Sequence, residues 1–241
     1  MAKLLLFQLY GPLASWGDPA VGEYRPSATH PGKSHIAGLL GAALGRRREQ
    51  EDELAALVHS YGLAVRIEAE GELLRDYHTI QVPPQRRGQR FRTRRDELSV
   101  AKPNTILSQR DYRMDAAWIC ALWASASAPY PLSDLAEALR RPHFTLYLGR
   151  KSCTPSLPLN PQLVECVSLK EAFAHYPVDP RLSGALTKSG PHRYCWEMPL
   201  PLDLETGFDR GEQLWEVPRN DLPRSRLRWQ FGRRDEYHAI G

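Results

Sequence analysis

The stretch Leu63–Val82, LAVRIEAEGELLRDYHTIQV, constrains the fold more than any other part of the chain. Leu63, Val65 and Ile67 fall on one side of a period-two pattern, with Arg66, Glu68 and Glu70 on the other. Only an extended strand sorts residues this way. Gly71-Glu72 reads as a turn into a second strand, LLRDYHTIQV. A half-buried pair of this kind commits the chain to a sheet.

The flanking segments fix what surrounds that sheet. Lys3–Tyr10 is an apolar strand ending at Gly11-Pro12, followed by a Gly- and Pro-rich loop. From Lys33 the period changes, and Ile36, Leu39, Leu40, Ala43 and Leu44 share one helical face. Glu51–Tyr61 continues as a second helical stretch stopped by Gly62. Further on, AAWICALWAS is a strand, LSDLAEALRR a helix opened by Ser133 as N-cap, and HFTLYLG a strand. This order gives an α+β fold with a ferredoxin-like (RRM-like, split βαβ) core over residues 1–149. Helices would pack on one sheet face and leave the other face, or the loops, free for a ligand. Residues 150–241 are expected to form a smaller C-terminal subdomain, with SLKEAFAHY helical and RYCWEMPL and EQLWEVP as short strands.

Charge is unevenly placed. The chain of 241 residues carries +4, yet Pro83–Pro103 alone holds six arginines and Lys102 against Asp96 and Glu97. That segment is +5 and the remainder is −1, so the basic character is local. Prolines bracket it, Gly88 suits a hairpin turn, and QRFRTR alternates cations with Phe91 and Thr93 like an exposed β-ribbon. Guanidinium groups grip phosphates bidentately, and an aromatic can stack on a base. Four such cations on a single strand would give log K a slope near about −3 against log salt. The four cysteines show no paired or zinc-like spacing and read as free thiols of a reducing compartment. The opening MAKLLLFQLY is too short and interrupted for a signal peptide, and no segment reaches membrane-spanning length. The expectation is a cytoplasmic protein with no cofactor, no metal and no membrane contact.

Three other segments carry candidate chemistry. SATHPGKSH nearly completes a phosphate-binding loop, but Ser27 stands where the first glycine is required, and no strand feeds it. Nucleotide hydrolysis is therefore rejected. A helix N-terminus with Lys33 and Ser34 remains suited to a phosphate, or else serves packing. In LRDYHTI, Asp76 and His78 share a strand face and Tyr77 takes the other, a pattern open to binding or to metal-free RNA cleavage. YLGRKSC hands a strand over at Gly149 to Arg150, Lys151 and Ser152, a phosphate-sized loop or an ordinary exposed turn.

Taken in order, GPLASWG, GKSHIAGLLGAALG, LRDYHT, TILSQRDYRMDAAW and YLGRKSC resemble the CasD family, Cascade subunits of type I-E CRISPR systems. The resemblance implies a ferredoxin-like core with a protruding hairpin thumb, here about residues 83–110. It also implies a non-catalytic subunit that binds the 5′ handle of the crRNA. Its partners would be the crRNA, the repeated backbone subunit, the large PAM-reading subunit and, through the complex, target DNA. The residues placed at the RNA are Trp16, Arg25, Lys33, Ser34, His35, Arg75, Tyr77, His78, Gln109 and Arg110. Tyr147, Gly149, Arg150, Lys151 and Ser152 join them, with Arg86, Arg87, Arg90, Phe91, Arg92, Arg94 and Arg95 on the thumb. No catalytic residue is assigned. A metal-independent endoribonuclease acting on precursor crRNA, and a protein-interaction module with a basic arm, stay open as alternatives.

Overall fold

A computed structural model describes residues 1–241 except 19, 21, 85–87, 89, 183–190, 209–213, 226–227 and 229. Its elements in chain order begin with β1 (Ala2–Ala14), β2 (Trp16–Gly17), β3 (Tyr24–Arg25), β4 (Ser27–Ala28), α1 (Lys33–Ala43) and α2 (Glu51–His59). The central part holds β5 (Tyr61–Ala69), β6 (Glu72–Val82), α3 (Arg94–Leu98), β7 (Asn104–Ala124) and α4 (Leu132–Arg140). The chain closes with β8 (Gln162–Cys166), α5 (Leu169–His175), β9 (Arg193–Glu197), β10 (Leu214–Ser225) and β11 (Gln230–Ile240).

One mainly antiparallel sheet runs β10-β11-β9-β5-β7-β1-β8, with β3 and β6 attached to β7. The period-two reading of Leu63–Val82 is right about strands and wrong about the turn. β5 pairs with the C-terminal half of β7, Tyr61 opposite Ala124 to Ala69 opposite Ala117. β6 then pairs with the N-terminal half, Glu72 opposite Met114 to Val82 opposite Asn104. The chain thus continues in one direction past Gly71 instead of folding back. Gly71 (φ +65) and Asp115 (φ 50) mark the interruption. A Cβ on Gly71 would fall 2.1 Å from the Met114 carbonyl oxygen, so the close approach of β7 requires glycine there. The true hairpin is β6–β7, and residues 83–103 are its connection.

Both sheet faces are buried. Leu5, Phe7, Leu9, Val65, Trp118 and Cys120 point to the face covered by α1, α2 and α4. Leu4, Leu6, Ala64, Ile119 and Ala121 point to the opposite face, where Leu169, Ala172 and Phe173 of α5 meet Leu204 and Phe208. The expectation of a free second face is therefore corrected. The apolar runs of β1 and β7 hold large residues at both parities, which is the mark of a strand buried on two sides.

Two further readings change. Residues 143–149 are not a strand: His143 and Phe144 donate their amides to the Ala43 and Ala42 carbonyls at the end of α1. Leu146 and Leu148 still alternate into the core, but the backbone is satisfied by a helix end instead of a ladder. Gln162–Cys166 takes the edge beside β1 in its place. Ser133 does not cap α4, whose N-cap is Pro131. The C-terminal strands β9–β11 extend the same sheet from β5, so the sheet crosses the boundary expected at 149/150. No helix among the described residues is long and apolar enough to cross a membrane.

Candidate nucleic-acid interface

A cleft of about 750 Å³ opens where three expected segments meet. Gly17 and Asp18 come from the loop after β1, Ser34, His35, Gly38 and Leu39 from the first turns of α1, and Leu146, Tyr147, Gly149 and Arg150 from the irregular segment. Asn220, Asp221 and Phe231 of β10 and β11 close one wall. The irregular segment sits against the loop because Ser15 donates its amide to the Leu148 carbonyl at 2.9 Å. Gly149 has φ +86, and a Cβ there would lie 1.8 Å from the Ser15 carbonyl oxygen. Only glycine permits that approach.

The cleft is tied to the base of the β6–β7 hairpin by Arg150 and Asp111. Arg150 donates to the Asp111 carbonyl at 3.1 Å and to the Arg25 carbonyl at 3.2 Å, and its guanidinium lies 4.5 Å from the centre of the Tyr112 ring. The Asp111 carboxylate is buried, accepting from Arg75 at 2.9 and 3.1 Å and from the Tyr24 hydroxyl at 2.6 Å. Hydrogen bonds from Arg75 hold the Asp111 carboxyl below the usual carboxylate range despite its burial. The same acceptor raises the Tyr24 hydroxyl. Arg75 is thus neutralised within the fold. Arg150 contacts carbonyls and a ring and forms no salt bridge among the described residues, although its charge also acts on the Asp111 carboxylate.

Lys33 does not offer its ammonium to a ligand. It is buried, bonded to the Tyr61 carbonyl and paired with Glu197. Burial pulls its pKa down, and Glu197 partly restores it. Its amide is taken by Asp221 at 2.8 Å. Lys33 therefore anchors the helix start to β9 and β10. Ser34 and His35 do line the cleft, although His35 also accepts the Gly32 amide at 3.1 Å. Trp16 is fully buried, edge-on to Trp118 with ring centres 5.2 Å apart, and supports the cleft from beneath. Lys151 and Ser152 are exposed beside it.

On the hairpin, Arg25 and Arg110 sit in register where β3 joins β7. Gln109 lies opposite Tyr77, which is 58% exposed. His78 pairs with Asp76 on the other face, with Tyr77 pointing away from both. The β-ribbon expected over QRFRTR does not form among the described residues: Arg90–Thr93 is irregular and a short helix begins at Arg94. Thr93 and Asp96 form reciprocal capping hydrogen bonds at 3.2 and 3.1 Å that start α3. Arg94 then pairs with Glu97 at 2.6 Å and reaches the Gln81 carbonyl, so it leaves the face expected to carry Arg90 and Arg92. Arg90, Arg92 and Arg95 are exposed and Phe91 is half-buried, while Arg86 and Arg87 lie outside the described residues.

Arg48, Asn220 and Phe231 line the cleft without having been expected there. The available signal was a second basic and aromatic run, Pro223–Arg234, which places Arg224, Arg226, Arg228, Arg233 and Arg234 around Trp229 and Phe231.

The sequence matches the family model described as CRISPR-associated protein (Cas_Cas5) over residues 4–237. It is similar to the CRISPR system Cascade subunit CasD of Escherichia coli (strain K12), with 35% identity over 170 residues, 66% of this chain and 70% of that protein. The fold resembles a chain of a CRISPR RNA-guided surveillance complex, with TM-score 0.64, 22% identity, and coverage of 99% of this chain and 89% of that one. A second likeness is to a crystal structure of a Cas protein, with TM-score 0.56, 24% identity, and coverage of 98% and 94%. At these identities the two structural likenesses speak for the fold alone.

Proposed function

Since this chain belongs to the Cas5 family of CRISPR-associated proteins, we propose that it is the CasD-type subunit of a type I-E Cascade complex and holds the 5′ handle of the crRNA without cleaving it. The order β8-β1-β7-β5, with α1, α2 and α4 on one face, is read as the ferredoxin-like core, and β6–β7 with its basic connection as the thumb. The observation that carries the reading is the convergence of Gly17, Ser34, His35, Tyr147, Gly149 and Arg150 on one cleft. Exposed Tyr147 and Phe231 offer faces for bases, and Arg150 offers a fixed cation for a phosphate. The exposed thumb arginines extend the grip by charge. Partner subunits and the crRNA follow from the same reading.

The test is footprinting of crRNA in a reconstituted complex carrying Tyr147→Ala with Arg150→Met. The handle loses protection while the guide portion keeps it; unchanged handle protection overturns the reading. Repeat RNA incubated with the purified chain in EDTA stays intact. Cleavage that disappears in His78→Ala would establish the endoribonuclease instead.

A further inference from the structure

Outside the cleft, four groups from three distant parts of the chain converge in the interior. His30 stands in the loop before α1, Cys195 on β9, and Glu236 and His238 on β11; the side chains of all four are buried. One ligand-type atom from each lies within 4.8 Å of the other three. We propose that His30, Cys195, Glu236 and His238 form a structural site for a divalent transition metal, with zinc the best chemical fit. The inference is independent of RNA binding.

The orientation of the side chains carries it. His30 Nδ1 is engaged by Thr29 Oγ1 at 3.1 Å, which leaves Nε2 facing inward. The outer carboxylate oxygen of Glu236, Oε2, is engaged by Arg234 at 2.6 Å, which turns Oε1 inward, 2.7 Å from His30 Nε2 and 3.0 Å from His238 Nε2. Cys195 Sγ lies 3.4 Å from His238 Nδ1 and completes the cluster. His30 and Glu236 thus each have an outer partner that leaves one donor facing the cluster, the device metal sites use to set ligand direction, while His238 and Cys195 are held by contacts within the four. Two imidazoles, a thiolate and a carboxylate match the tetrahedral preference of zinc, with bonds of about 2.0–2.3 Å.

Two arginines must be accommodated. Arg234 is already balanced by Asp221 through hydrogen bonds at 2.7 and 2.9 Å, so it serves as the outer partner of Glu236. Arg219 is the less satisfied of the two. Its NH1 is 3.3 Å from His30 Nε2 and 3.8 Å from Glu236 Oε1, while its Nε and NH2 have no partner among the described residues. His30 Nε2 cannot donate to Glu236 and accept from Arg219 at once. Coordination at Nε2 uses the lone pair that Arg219 NH1 faces, so metal binding requires the Arg219 guanidinium to turn away from His30. Binding releases the thiol proton of Cys195 to solvent and forms no other covalent bond. The site would fasten β9 and β11 to the entry of α1, directly behind the cleft wall.

Full-length protein, stripped with chelator and dialysed, is titrated with Co²⁺ and then Zn²⁺. One equivalent of Co²⁺ per chain should give tetrahedral d–d bands and a thiolate charge-transfer band, displaced by Zn²⁺ with a rise in Tm. Cys195→Ser should abolish the charge-transfer band. Thr29→Val, which leaves every ligand in place, should weaken binding about tenfold with the band retained. No binding at one equivalent overturns the proposal, as does a band that persists in Cys195→Ser. Should Cys195→Ser fail to fold, unchanged affinity in Thr29→Val decides against the site.

Discussion

Replacing Gly149 by alanine puts the architecture of the cleft to the test. At φ +86 an alanine meets the left-handed penalty, about 1–3 kcal/mol for a non-glycine residue. Its methyl would also sit 1.8 Å from the Ser15 carbonyl oxygen and 2.7 Å from the Ser15 carbonyl carbon, and both are backbone atoms that no rotamer change can move. Relief requires the two segments to part by roughly 1.5 Å, given ordinary contact distances. That separation breaks the Ser15–Leu148 hydrogen bond, worth about 0.5–1.5 kcal/mol net. The sum is about 2–4 kcal/mol, or on the order of 10 °C in Tm for a chain of this size. Gly17→Ala is the matched control, since it lines the same cleft and a Cβ there meets nothing within 4 Å. It should change stability by less than about 0.5 kcal/mol. Urea unfolding of both variants, followed by crRNA retention in the reconstituted complex, reads the two effects. Equal stability of the two variants would refute the assigned packing of residues 146–150 on Ser15.

Three further outcomes are expected. Lys33→Met should destabilise the fold by about 2–4 kcal/mol by taking from Glu197 its nearest cation and leaving only the longer 4.0 Å pairing with Arg234, as measured by denaturant unfolding; a loss of RNA binding at unchanged stability would reassign Lys33 to the ligand. Asp111 is depressed below its ordinary 3.8, so its contribution to stability is complete above that value and is lost as pH falls through it toward the folded-state value; acid unfolding of Asp111→Asn should lack this component. Arg90→Ala and Arg92→Ala should each reduce the slope of log K against log salt for repeat RNA by about 0.7, whereas Arg75→Ala should leave the slope unchanged because Asp111 already neutralises that cation.

Most strand and helix identities were legible because they rest on local periodicity. Lys33–Ala43, Glu51–His59 and the strand halves around Gly71 and Trp118 all appear where their apolar spacing places them. Gly149 was legible for a related reason, as a glycine at the end of an apolar alternation flags a backbone that something approaches closely. The direction of the chain at Gly71 was not legible. A left-handed glycine serves a tight turn and an interrupted ladder equally, and only the partner strand distinguishes them. Nor could local pattern show that Leu146 and Leu148 reach the core without a ladder, since the α1 carbonyls that satisfy their segment lie a hundred residues away in sequence.

Sequence alone determined the uneven charge, the sheet-and-helix alternation and three of the segments that border the cleft, because each is a property of neighbouring residues. Tertiary structure decided which cations remain available. Lys33 and Arg75 look as suited to phosphate as Arg150 in the linear chain, yet Glu197 and Asp111 consume the first two while Arg150 meets only carbonyls and a ring. Whether a charge is spent inside the fold depends on carboxylates brought from distant strands, and a chain reveals those partners only once it is folded.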